Sequence, residues 1–315
     1  EHYHVRILFA WKSFQWFNKA DEMAHVHCVV VGFYESKRRK NKPHTIYEEQ
    51  KAPVRAEHIN AYLLDAENLF VVNRGLPLCP VPQMGIGNKP IDDGNYLFTE
   101  QETQEFIRRE PAAQKYFHPW YGAEEFINGK PRYCLWLGNC EPQELRKMPL
   151  SMKRVQAVIN FRQQSSSEQT RQLAKTPRRF HVENMPQQSF MLVPRVSSEN
   201  RDYVPMGFLE PECLASDAIQ ILPDVKMWHF GVLESRLHMA WMRVVCGRLE
   251  SRYRYSAGIV YNNFPWAELT DGQKLAIGAT AQAIIEVRDR YPEASLADLY
   301  DRSSMPDDLL HAHWA

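Results

Sequence analysis

Residues 228–256 read WHFGVLESRLHMAWMRVVCGRLESRYRYS, an apolar run that passes directly into a dense row of charge. Trp228, Val232, Leu233, Leu237, Ala240, Trp241, Val244 and Val245 recur at steps of three and four, the period of a helix with one face in a core. Gly247 is placed to end that helix as a carboxyl cap. Beyond it Arg248, Glu250, Arg252 and Arg254 occupy every second position, so in a continuously extended chain all four would project from one face. Arginine donates two parallel hydrogen bonds to the N7 and O6 edge of guanine, and a carboxylate accepts from the N4 amino group of cytosine, so this alternation suits DNA base edges. An edge strand with solvated cross-strand ion pairs accounts for the same pattern, and the alternation alone does not choose between them.

Working outward, the 315 residues exceed the usual size of a single core and predict more than one module. Hydrophobic residues at 44% and charged residues at 24% are those of an ordinary globular protein. No run approaches the roughly 18 apolar residues of a membrane span, and the first residues lack the pattern of a signal peptide, so a cytoplasmic protein without a membrane partner is expected. Cys28, Cys79, Cys134, Cys140, Cys213 and Cys246 show neither a zinc spacing nor a disulfide framework.

Net charge is zero, but its distribution is uneven. Between Arg146 and Arg179 nine basic residues face the single acid Glu168, and between Glu286 and Asp308 seven acids face three arginines. The first segment reads as two basic helices, Ser151 to Phe161 and Glu168 to Lys175. Their arginines and lysines would concentrate positive potential against phosphates, which makes Arg154, Arg162, Arg171, Lys175, Arg178 and Arg179, with Arg248, candidate DNA-backbone contacts. A protein assembly module that docks an acidic partner through the same surface is the alternative.

Towards the amino terminus, Val5 to Ala10 and Ala24 to Phe33 read as buried strands, the last of a sheet whose beginning is absent, followed by a basic surface loop from Lys37 to Lys42. Ile59 to Met84, with Pro77, Pro80 and Pro82, reads as an extended crossing between modules. Thr99 and Glu102 predict a capping box, and Ser295 and Asp298 a second. Phe190 to Leu209 reads as strand, turn, strand. Trp120 and Tyr121 are candidate wedges for base flipping. NNFPW at 262–266 has its proline after the aromatic and lacks a second one, so it reads as a turn anchored by Phe264 and Trp266 rather than an adenine-holding motif. His229 and His238 stand nine apart, outside metal-pair spacing, and nucleophile and phosphate-loop motifs are missing. No catalytic, cofactor-binding or metal-ligating residue is therefore assigned.

The blocks FQWFNKA, AHVHCVVVGF, QMGIGNKPIDDG, EEFINGKPRYCLWL, SSENRDYVPMGF, GRLESRYRYSAGIVYNNFPW and SLADLYDRSSMPDDLLHAH, in this order, resemble the carboxyl-terminal half of the fused restriction and adenine-methylating enzymes typified by MmeI. The resemblance implies an α+β chain: the last strands of a methyltransferase sheet at 1–45, a linker at 46–90, a mixed α/β target recognition domain at 91–262 and a helical region at 263–315. It also implies that Glu250 and Arg252 read one base pair, with a Glu-x-Arg pair similar to versions that read C:G and Lys-x-Asp to versions that read the reverse. Arg254 and Ala218 form a second reading group by the same resemblance. Catalysis would lie outside this chain, in methyltransferase and nuclease domains using S-adenosylmethionine and Mg, and double-stranded DNA would be the partner.

Overall fold

The computed structural model describes residues 4–17, 25–35 and 43–315; the basic run at 37–42 lies outside the described residues. Strands Val5–Phe17 and His25–Glu35 pair antiparallel, and two short strands, His44–Tyr47 and Val54–Ala56, extend the sheet past the first of them. Among the described residues, a small core of Ala10, Ile46, Ala56 and Ile59 forms beneath it, and Trp11, Val29, Val30 and Phe33 are exposed. The expected strands are present, but apolar faces remain uncovered.

The stretch from 71 to 84 has no helix or strand, as its prolines predict, yet it is fixed along its length. Val71, Cys79 and Val81 pack against the largest core. The Arg74 and Leu78 N–H groups donate to Gly258 and Asn262 at 2.9 and 2.8 Å, and the Tyr261 hydroxyl donates to Pro82 at 2.7 Å. Gly258 permits this approach, because a Cβ there would stand 1.9 Å from Asn73 Oδ1.

Residues 96–180 build a second core. Thr99 caps helix Glu100–Arg109 as its sequence predicts: the Glu102 N–H donates to Thr99 Oγ1 at 3.3 Å, and the Thr99 N–H to the Glu102 carboxylate at 2.7 Å. Phe98, Phe106 and Phe117 then meet edge to face, with centroids 5.2 to 5.4 Å apart. Trp120 is 2% exposed and belongs to this core, so it has no wedge to offer DNA.

The decisive stretch is two helices, Met227–Leu233 and Arg236–Val245, not one. Ser235 starts the second by accepting the His238 N–H at 3.2 Å. That break resets the helical phase, so His238, Met239, Met242 and Val245 face inward while Leu237 and Val244 are exposed. Cys246, in extended conformation, ends the helix, and Gly247 already belongs to a strand. Phe264 and Trp266 anchor the turn after it, as expected.

A buried network joins this region to the carboxyl-terminal helices Asp271–Arg288, Leu296–Leu299 and Asp307–Trp314. Glu234 accepts from the Met206 N–H at 3.1 Å and from Arg288 at 3.2 Å. Arg288 donates further to the Met206 carbonyl at 2.6 Å and to the Tyr300 hydroxyl, which stands 2.9 Å from His313 Nε2. Removing one partner of such a charge pair would strand the other in the core.

Burial sets the titration of this region. It holds His238 and His313 down to about 3 and His229 to about 4, because each would have to carry its charge away from water. Unfolded, each takes up a proton near 6.5, so the stability present above that pH is lost as the pH falls. Glu234, pushed up to about 7 by burial, runs the opposite way between pH 7 and 4.5. At about 1.4 kcal/mol per pKa unit, the histidines lose roughly 2 kcal/mol each by pH 5 and Glu234 offsets nearly 3, leaving a net loss of roughly 3 kcal/mol. Thermal melting should therefore fall by several degrees from pH 7.5 to 5. An unchanged midpoint would contradict the neutral histidines.

Candidate nucleic-acid interface

Arg248 to Arg254 form a β-hairpin. Strands Gly247–Leu249 and Arg252–Arg254 pair Gly247 with Arg254, Arg248 with Tyr253 and Leu249 with Arg252, so Glu250 and Ser251 make the two-residue turn. Glu250 takes a left-handed backbone, φ 57°, a conformation that costs a non-glycine residue of order 1 kcal/mol. Paired residues share a face of a sheet, so reversal of the chain at Glu250 puts Arg252 and Arg254 on one face with Leu249 and sends Arg248 to the other. The predicted single row of four is thereby corrected. The Arg248 guanidinium lies 4.0 Å over the buried Tyr253 ring and donates to the Ser251 carbonyl at 2.9 Å, which braces the turn.

Glu250 and Arg252 remain together at the tip. Their side chains are 69% and 45% exposed and form an ion pair at 2.6 Å. A pair in water is held by no more than about 1 kcal/mol, so a base pair that offers both an acceptor and a donor can open it.

Arg254 pairs with Val196, and Tyr253 with Ser197, through strand Val196–Ser197. Immediately before it, the Arg195 N–H donates to the Ala218 carbonyl at 3.3 Å, and the Arg195 carbonyl accepts from the Tyr255 N–H at 2.8 Å. These serial bonds connect the exposed Ala218 turn, through Arg195, to the residue that follows Arg254. Arg195, missed in the sequence, also donates from its guanidinium to the Asp217 carbonyl at 2.7 Å. Its signal was a basic residue interrupting a strand between FMLVP and VSSENRD. Beneath the hairpin, Tyr255 is bonded to His238 Nε2 at 2.9 Å, so both occupy the core.

The basic segment is less available than its charge count predicts. Arg162 is fully buried in helix Pro149–Gln163, and its N–H groups donate to the carbonyls of Pro90, Ile91, Leu173, Thr176 and Arg179 at 2.8 to 3.1 Å. It cannot reach a phosphate. Arg171 donates to the Ser165 and Ser166 carbonyls and pairs with Glu168, Arg178 donates to the Cys140 carbonyl, and Arg179 pairs with Glu183 at 3.0 Å. Arg154 lies over the Phe98 ring at 4.8 Å, and Lys175 is exposed. Among the described residues, no three His, Cys, Asp or Glu side chains converge as a metal-ligating set, and no helix is long and apolar enough to cross a membrane.

The family described as "MmeI, target recognition domain" matches residues 65–268, nearly two thirds of the sequence. The chain belongs to the MmeI family. Residues 269–315 match the MmeI C-terminal domain and residues 1–48 the MmeI DNA-methyltransferase domain. DNA methyltransferase A of Bacillus subtilis (strain 168) is 39% identical over 311 residues, which are 98% of this chain and 35% of that protein. The solved structure of the Type IIL restriction-modification enzyme MmeI in complex with DNA superposes with a TM-score of 0.93 at 43% identity, covering 99% of this chain and 42% of that one. The chain therefore spans well under half of each of these relatives, and its α+β fold is that of the MmeI region it matches.

Proposed function

We propose that this chain is the sequence-recognition part of a fused restriction-modification enzyme that methylates adenine in DNA. The observation that carries this reading is the exposed Glu250 and Arg252 pair, set at a hairpin tip beside Arg254 and the Ala218 turn. Cytosine N4 would donate to Glu250 while Arg252 donates to the paired guanine, and Arg254 with Ala218 would meet a neighbouring base pair. Arg154, Lys175 and the outward parts of Arg171, Arg178, Arg179 and Arg248 would hold phosphates and fix register. S-adenosylmethionine, and Mg for the nuclease, would be bound by other domains of the full-length protein. The uncovered faces of strands Val5–Phe17 and His25–Glu35 would lie against the remainder of the methyltransferase domain.

Filter binding by the full-length protein tests this. Duplexes enriched from a randomised pool should bind on the order of 10³-fold more tightly than scrambled versions at the same salt. Equal retention of enriched and scrambled duplexes would leave no base readout and would favour an assembly surface.

A further inference from the structure

The hairpin is a poor platform by itself. Its strands are three residues each, and its neighbour Val196–Ser197 supplies two residue pairs, so short a sheet that its position must be set by whatever holds that neighbour. One end of the neighbour is held at Arg195. The other end runs through a turn at 198–201 into Arg201-Asp202-Tyr203, which lies against Tyr300-Asp301-Arg302 of the carboxyl-terminal region, the same three residue types in reverse order.

The charges cross. Asp202 pairs with Arg302 at 2.5 Å, and Arg201 lies within electrostatic reach of Asp301. The Asp202 carbonyl also accepts from Arg243, on the helix that leads into the hairpin. Tyr203 stacks on His313 with centroids 4.0 Å apart, and Tyr300 reaches the same imidazole. The strand that leads into this segment pairs Ser197 with Tyr253, the hairpin residue between Arg252 and Arg254. Asp202 and Arg302 are both exposed at the surface, where a pair contributes little to stability, and the two regions are already joined by the buried Glu234 and Arg288. Their contribution is therefore geometric.

We propose that Arg201-Asp202-Tyr203 and Tyr300-Asp301-Arg302 form a clamp through which the carboxyl-terminal region fixes the recognition hairpin, with Asp202 and Arg302 as positioning residues for base discrimination. The inference rests on the recognition reading above. Base contacts need placement within about half an ångström, whereas phosphate contacts by flexible side chains tolerate more, so a loosened clamp lowers specificity and spares non-specific affinity.

The test uses full-length protein and compares dissociation constants for an enriched duplex and its scrambled version. Asp202→Arg and Arg302→Asp should each lower the enriched-to-scrambled ratio about tenfold, with scrambled binding unchanged, and the double reversal should restore it to within about threefold of the unmodified protein, since an ion pair is regenerated between the two positions. Asp202→Asn removes charge without changing bulk, Arg302→Gln removes it with a shorter polar side chain, and these neutral variants keep the comparison valid if a reversal lowers the melting temperature. The clamp is overturned if the neutral variants keep the full ratio, if enriched and scrambled binding fall in parallel, or if the double reversal leaves the ratio low. Absence of any preference in the unmodified protein would instead remove the recognition reading itself.

Discussion

Replacing Glu250 with Lys and Arg252 with Asp together should invert the preference at one base pair, from C:G to G:C, without abolishing DNA binding. Each of the two contacts discriminates by about 1 to 3 kcal/mol, so exchanging both should change the ratio between the two duplexes by roughly 10²-fold or more. The fold has no reason to object. Both side chains are exposed, the left-handed φ at position 250 weighs on lysine as it does on glutamate, and an acid and a base still face each other across the turn. Either single change should weaken discrimination and leave like charges together at the tip. Competition between duplexes that differ at one pair reads the result directly. A double variant that still prefers the original pair would remove Glu250 and Arg252 from the readout.

That pair was legible because charge alternated with Leu249, Ser251 and Tyr253, but the turn between its members was not. Two-residue hairpin loops are signalled by Gly, Asn or Asp at positions of positive φ, and here the position is filled by glutamate. Hence an extended row was expected where the chain reverses, and Arg248 was assigned to the wrong face. The helix break at Glu234 was hidden for a related reason. Val232 and Leu233 continue an apolar pattern into Leu237, while the buried partner of Glu234 is Arg288, 54 positions away in sequence. Local signals such as the Thr99 capping box carried through, because both partners stand within one turn of helix. The grouping of Ala218 with Arg254 came from resemblance and not from periodicity, and the bonds that connect their two segments run through Arg195, far from Ala218 in sequence.

The clearest separation of folding from binding is expected at Arg162. A basic residue on a helix among eight others invites a phosphate contact, yet every one of its five N–H groups ends on a backbone carbonyl. The Leu173 and Thr176 carbonyls also accept from the Thr176 and Arg179 N–H groups at 3.1 and 3.0 Å, so the acceptors that depend on the guanidinium are the carbonyls of Pro90, Ile91 and Arg179. Arg162→Met keeps the aliphatic volume and removes all five bonds, so it should destabilise by about 4 kcal/mol or more, given 1 to 3 kcal/mol for each buried acceptor left unpaired. For a domain of this size that is a fall in melting temperature of roughly 8 to 15 °C. The logarithmic dependence of DNA affinity on salt should keep its slope in whatever fraction stays folded. Lys175→Ala provides the contrast, with stability within about 0.5 kcal/mol and a slope shallower by about 0.9, the signature of one lost phosphate contact. Were Arg162→Met to melt normally and flatten the salt slope, the guanidinium would have to be outside the core, and the carbonyl cage around it would be wrong.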